Sequence, residues 1–121
     1  MKIKDLKKLY IKNRNILEFL RVKNKTNKVE DILISYDLQS GSYIKNFDLN
    51  PKFLQDYTKE LSNKINELGK FESILEAGVG EATTIVNLLI NLGKTKPKKS
   101  YGFDLSWSRL RYAKQFSEKL K

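Results

Sequence analysis

Residues 71–121 alternate short apolar runs with longer amphipathic ones, and this alternation is the strongest constraint on the fold. The predicted order is strand, tight loop, helix, basic loop, strand and helix, over FESILEA (71–77), GVGEA (78–82), TTIVNLLINLG (83–93), KTKPKKS (94–100), YGFDL (101–105) and SWSRLRYAKQFSEKLK (106–121). Ser106 is the predicted cap of the last helix. Such an order predicts two parallel strands joined by a right-handed crossover.

The preceding part of the chain has helical patterns. Apolar positions recur at helical spacing over 3–20, and NKTNK (24–28) predicts a loop. VEDILISYDL (29–38) fits both a helix face and strand alternation, and we favour a helix because its second and third residues are acidic, which suits a first helical turn. QSGSY (39–43) predicts a small flexible turn.

The clearest helical pattern runs over 50–69. Asn50 suits the N-cap position, Pro51 suits the first helical position, and Gly69 supplies a stop. The chain has 121 residues, which predicts one compact domain. Within it we expect an N-terminal helical region (1–70) and a Rossmann-like unit (71–121).

Composition excludes several kinds of chemistry. The chain has no cysteine and no histidine, which excludes disulfides, thiolate chemistry and an imidazole base. A zinc site would have to use carboxylates alone, so we expect no metal. No apolar run approaches the roughly 20 residues needed to span a bilayer, and the N-terminus lacks a signal sequence. We therefore expect a cytoplasmic protein without a membrane span.

The net charge of +10 is distributed unevenly, with basic ends and an acidic middle. One interpretation is a surface that attracts nucleic acid or anionic lipid. The other is compositional bias, because 20 of the 24 basic residues are lysine and phosphate-binding surfaces usually contain more arginine. We favour the compositional interpretation.

Two carboxylates are predicted at the ends of the two strands. Glu76 ends the first strand and Asp104 ends the second, and open α/β sheets bind ligands at this edge. Gly78 and Gly80 let the backbone turn tightly and approach a ligand closely. A carboxylate at the position of Asp104 can accept hydrogen bonds from both ribose hydroxyls. The pattern therefore predicts a nucleoside cofactor lying across the strand ends.

The loop favours S-adenosylmethionine over a dinucleotide. A dinucleotide fingerprint requires a third glycine, and Thr83 occupies that position. A pyrophosphate would also be repelled by Glu76 and Glu81, whereas a cofactor with an ammonium and a sulfonium group would be attracted. The phosphate-loop pattern of nucleotide triphosphatases is missing from the sequence.

E-A-G-V-G, followed by a helix and G-F-D-L-S, resembles the first two motifs of class I S-adenosylmethionine-dependent methyltransferases. The resemblance covers residues 72–121. It implies an α/β, truncated Rossmann-like methyltransferase fold in which N-terminal helices precede a βαβα unit with two parallel strands. It further implies cofactor-binding roles for Glu76, Gly78, Val79, Gly80, Asp104 and Leu105, the last against the adenine. Y-D-L-Q-S-G-S-Y (36–43) is similar to the segment that some of these enzymes fold over the cofactor, which adds Tyr36, Ser42 and Tyr43.

The resemblance leaves the acceptor and the catalytic residues unidentified. Class I enzymes continue with further strands, including one beside SILEA and loops that hold the acceptor. An unpaired apolar strand edge invites pairing with another chain. We therefore expect self-association or a partner chain, unless the sequence is part of a longer protein. The alternatives are a non-catalytic basic nucleic-acid-binding or regulatory domain and a nicotinamide enzyme.

Overall fold

The protein, described by a computed structural model, is a mixed α/β chain. The structure describes residues 29–120, together with Lys8 and Lys12. The elements are α1 (Val29–Leu38), α2 (Ser42–Leu49), α3 (Pro51–Leu68), β1 (Ser73–Ala77), α4 (Thr83–Leu92), β2 (Lys99–Phe103) and α5 (Trp107–Ser117), with short 3-10 turns at Gly93–Thr95 and Glu118–Leu120. The predicted helix over 3–20 and the loop over 24–28 lie outside the described residues.

The chain divides into two compact units, Met1–Ser40 and Gly41–Lys121. In the first unit, α1 confirms the helix favoured over 29–38. The second unit contains the other four helices and the sheet. Helix α3 therefore belongs to the same compact unit as the predicted Rossmann-like segment.

The βαβα unit forms as the alternation predicted. Strands β1 and β2 are parallel and pair from Ser73 with Lys99 to Ala77 with Phe103. Helix α4 connects them, and α5 follows β2. Ser106 Oγ accepts a hydrogen bond from the Arg109 amide at 3.3 Å, which confirms the predicted cap of the last helix. The second strand both begins and ends two residues earlier than expected, so Asp104 directly follows the strand and does not lie within it.

The core is built around α4, because this helix is apolar on more than one side. The buried apolar side chains are Val79, Ala82, Ile85, Val86, Leu88, Leu89, Leu92, Ala113 and Phe116. Helix α3 packs closely on α4 through small buried side chains, Thr58 and Ser62. Asn91 Nδ2 donates to Thr58 Oγ1 at 2.9 Å, which gives this helix contact a polar link.

Helix α3 begins and ends where its sequence predicts. Pro51 occupies the first position, and Gly69 follows the last one with φ of +117°, a left-handed conformation that favours glycine. The Asn50 side chain makes no capping hydrogen bond, although the residue occupies the N-cap position. Its amide group is therefore left for other contacts.

The two faces of the sheet differ. Ile74 packs against the core, and the Val79 side chain lies over Gly102, so the face that carries these residues is covered. Side chains alternate along a strand, and the opposite face carries Leu75, Tyr101 and Phe103, all more than half exposed. Among the described residues, only β2 pairs with β1. Association with a second copy or a partner chain, along the edge of β1 away from β2, stays a prediction. Light scattering at micromolar concentration tests self-association.

Across residues 29–120, the helices are too short or too polar to cross a membrane. The compartment and the partners of the protein stay predictions.

Candidate cofactor site at the strand ends

The glycine loop after β1 turns through three left-handed residues. Gly78, Gly80 and Ala82 have φ of +71°, +54° and +61°. The N–H groups of Gly78 and Val79 both donate to the Phe103 carbonyl at 2.9 Å. The Gly80 N–H donates to Asp104 Oδ2, also at 2.9 Å. The backbone N–H groups of Gly78, Val79 and Gly80 are therefore already hydrogen-bonded within the chain.

Asp104 connects this loop to the next helix. Its Oδ2 accepts the Gly80 amide, and its Oδ1 accepts the Ser106 amide at 2.8 Å. An ionised carboxylate has about four lone-pair positions, so about two stay open after these contacts. The residue is only half-buried, which leaves its carboxylate within reach of a ligand. The carboxylate can therefore accept hydrogen bonds from two ligand hydroxyls as well.

Glu76 lies half-buried near the end of β1, and its carboxyl group faces the first turn of α4. Burial raises the pKa of this carboxyl above its ordinary value of 4.5, and a hydrogen bond from the Ile85 backbone N–H partly offsets that rise. Atom Oε2 is buried and has no hydrogen-bond partner. A buried acceptor without a partner is costly, so this oxygen is a position that a cationic donor would satisfy.

We expect Glu76→Gln to raise the free energy of unfolding at pH 7, because it removes a buried charge and keeps the shape. The folded carboxyl binds its proton more tightly than the unfolded one, so ionisation disfavours the folded state. The gain over wild type is fully present above the raised pKa and disappears as pH falls below 4.5. Urea unfolding at several pH values measures this difference.

Glu72→Gln is the matched control, since Glu72 lies just before β1 with an exposed side chain. A gain for Glu76→Gln that is the same at pH 7 and pH 4, or a loss at pH 7, would contradict the prediction.

Glu81, expected to attract a cationic ligand together with Glu76, lies elsewhere. Its side chain is only 2% exposed and faces α2. Oε1 accepts the Gly41 amide at 2.8 Å, and Oε2 accepts the Ile44 amide at 2.9 Å. Glu81 therefore caps α2 from a distant part of the sequence. No local sequence signal indicates this role.

Ser42 and Tyr43 are brought to the glycine loop, because Glu81 holds the first turn of α2 there. The buried Arg109 links the two segments. Its guanidinium carbon lies 4.8 Å from the centre of the Tyr43 ring, and its Nη1 lies 3.7 Å from where a Cβ on Gly80 would stand. Sequence analysis missed Arg109, because a basic residue in a first helical turn is usually exposed.

The remaining predicted residues have different locations. Leu105 directly follows Asp104 and is 71% exposed, so it is accessible to a ligand at this edge. Tyr36 lies in α1, within the other compact unit. The exposed lysines of the basic loop, Lys94, Lys96, Lys98 and Lys99, precede or begin β2. They therefore lie toward the amino ends of the strands, opposite the edge that carries Asp104.

Comparison with protein-family models, curated proteins and solved structures found no match to this chain.

Proposed function

We propose that this chain is the cofactor-binding part of an S-adenosylmethionine-dependent methyltransferase. The observation that carries the proposal is the position of Asp104, directly after β2 and hydrogen-bonded to the loop that follows β1. Its open lone pairs suit the two ribose hydroxyls, and the exposed Leu105 beside it suits the adenine. Glu76 and the loop Gly78–Gly80 suit the methionine end.

The hydrogen bonds of the loop support this cofactor over a phosphate-bearing one. Phosphate sites at glycine loops use free backbone N–H groups. The N–H groups of Gly78, Val79 and Gly80 are occupied by Phe103 and Asp104. With these N–H groups occupied, the loop and Glu76 offer acceptors rather than donors. The Arg109 guanidinium near Gly80 is buried and lies over the Tyr43 ring. An ammonium group fits such a site, and a pyrophosphate does not.

Bound S-adenosylmethionine supplies an activated methyl group, so the protein's own task is to hold and orient the reactants. Asp104 would fix the ribose, Leu105 would cover the adenine, and Glu76 would attract the ammonium group. We assign no catalytic residue.

Calorimetric titration with S-adenosylhomocysteine, the stable product, tests the proposal. We expect the wild-type chain to bind, and Asp104→Asn to bind about tenfold more weakly, because one acceptor of a hydroxyl hydrogen bond becomes a donor. We expect Leu105→Ala to bind about fivefold more weakly through lost apolar contact.

Leu105→Ala is the more decisive variant, since Leu105 is 71% exposed and contributes little to folding. Asp104 also holds two backbone amides, so its variant is compared with wild type by circular dichroism first. Leu49→Ala is the control, because Leu49 is 75% exposed and lies on α2. Absence of binding by the wild-type chain, or equal binding by all variants, would contradict the proposal.

The second candidate is a basic nucleic-acid-binding or regulatory domain on the same scaffold. It is favoured by one observation, the four exposed lysines within 94–99. Phosphate contacts by these residues would give RNA or DNA binding that falls steeply with salt. Such binding without any affinity for S-adenosylhomocysteine would favour this candidate over the methyltransferase.

A further inference from the structure

A pocket of about 350 Å³ lies between α2, the first turn of α3 and the first turn of α4. Its lining residues are Tyr43, Asn46, Phe47, Asn50, Phe53, Leu54, Thr83 and Thr84. None of these described lining residues is charged, although 31% of the chain is charged. Its volume falls in the range of sites for small molecules.

The lining combines aromatic surface with a few polar groups. Tyr43, Phe47 and Phe53 supply three rings, and Phe53 is 77% exposed. Asn50 contributes a side chain that makes no capping hydrogen bond, although the residue precedes α3. A side-chain amide has both donors and an acceptor, so it can pair with an amide or hydroxyl of a ligand.

Charged groups close to the wall are engaged within the protein. The Lys119 ammonium, 5.7 Å from the centre of the Phe47 ring, forms an ion pair with Asp48. Glu81 accepts the amides of Gly41 and Ile44, and the Arg109 guanidinium lies over the ring of Tyr43. Among the described lining residues there is therefore no side-chain charge that could neutralise a charged ligand. Transfer of an uncompensated charge to such a site is strongly unfavourable. The lining thus selects an uncharged molecule with an aromatic ring.

The pocket also adjoins the candidate cofactor site. Thr83 and Thr84 are the first residues of α4 and follow the glycine loop directly. Tyr43 forms part of the wall, and Arg109 connects its ring to Gly80. A molecule in this pocket would lie beside the loop that suits the methionine end of the cofactor.

We infer that this pocket binds an uncharged aromatic molecule with an amide or hydroxyl group, and that this molecule is the methyl acceptor. The acceptor role rests on the proposed function, whereas the ligand class rests on the lining alone. A nucleic-acid acceptor is disfavoured, because the described residues of the lining include no cationic side chain that would meet its phosphates.

Saturation-transfer NMR with benzamide, benzoate and benzylamine tests the ligand class, since the three probes share a ring and differ in charge. We expect transfer to benzamide at least about fivefold stronger than to either charged probe, because the lining cannot compensate their charge. Phe53→Ala and Asn50→Ala should each reduce the benzamide signal at least about threefold. Leu49→Ala is the matched control, since Leu49 is 75% exposed and does not line the pocket.

Equal transfer to the three probes, or an unchanged signal in Phe53→Ala, would overturn the inferred ligand class.

Interligand NOEs between benzamide and S-adenosylhomocysteine, both bound to the wild-type chain, test the acceptor role. Their presence supports the role, and two bound ligands without them overturn it. S-adenosylhomocysteine binding should be unchanged in Phe53→Ala. A wild-type chain that binds benzamide but no S-adenosylhomocysteine overturns the proposed function and the acceptor role, and leaves the ligand class supported.

Discussion

Glu81→Ala is expected to lower the free energy of unfolding by about 3 kcal/mol, because it leaves two partly buried backbone amides without an acceptor. The carboxylate accepts the amides of Gly41 and Ile44 at 2.8 and 2.9 Å. The N-cap residue of α2 is Gly41, which has no side chain that could cap the helix. Urea unfolding followed by circular dichroism at pH 7 measures the loss.

Two further variants make this result specific. Glu81→Gln keeps one acceptor oxygen and should lose less than Glu81→Ala. Glu67→Ala removes a glutamate whose side chain is 63% exposed in a surface ion pair with Lys64, and it should cost no more than about 0.5 kcal/mol. If Glu81→Ala is as stable as Glu67→Ala, the capping role is wrong.

Gly102→Ala is expected to cost about 2 kcal/mol through steric overlap. A Cβ at Gly102 would lie 2.7 Å from Val79 Cγ2 and 2.8 Å from Val79 Cβ. Val79 is only 8% exposed, and its amide is bonded to the Phe103 carbonyl, so it has little room to move. The same unfolding measurement detects the loss, and S-adenosylhomocysteine binding should weaken with it because the loop shifts.

Ser100→Ala, at an exposed position of the same strand, is the control and should be nearly neutral. Val79→Ala combined with Gly102→Ala should cost less than the sum of the two single changes, since removal of Cγ1 and Cγ2 relieves part of the overlap and leaves only the approach to Val79 Cβ. Strict additivity of the two changes would contradict direct contact as the cause.

The βαβα unit could be predicted because its signals are local. Apolar runs, the glycines after β1 and Ser106 before α5 lie close together in sequence, and each predicted its element to within a few residues. The parallel pairing follows from the helix between the strands. Topology alone therefore placed Glu76, the glycine loop and Asp104 at the same edge of the sheet, although their roles in binding stay predictions.

Helix α2 could not be predicted, because its stabilising partner is distant in sequence. The pattern over 39–43 indicated a flexible turn, whereas the turn ends at Gly41 and the helix begins at Ser42. Its amide acceptors come from Glu81. For the same reason Glu81 was placed in the ligand site, and the buried Arg109 was not considered at all. Helix capping by a residue distant in sequence, and the burial of a charged side chain, both depend on tertiary contacts. The periodicity of apolar residues in the sequence does not encode such contacts.

The hydrogen bonds within the glycine loop also bear on how fast a ligand would be captured. Ordering one backbone residue costs about 1–2 kcal/mol of conformational entropy. In this loop the entropy is lost when the chain folds and not when a ligand binds, because Phe103 and Asp104 already hold the loop in place. A preorganised site binds without a slow conformational step. Association at this edge should therefore give a single kinetic phase whose rate rises linearly with ligand concentration.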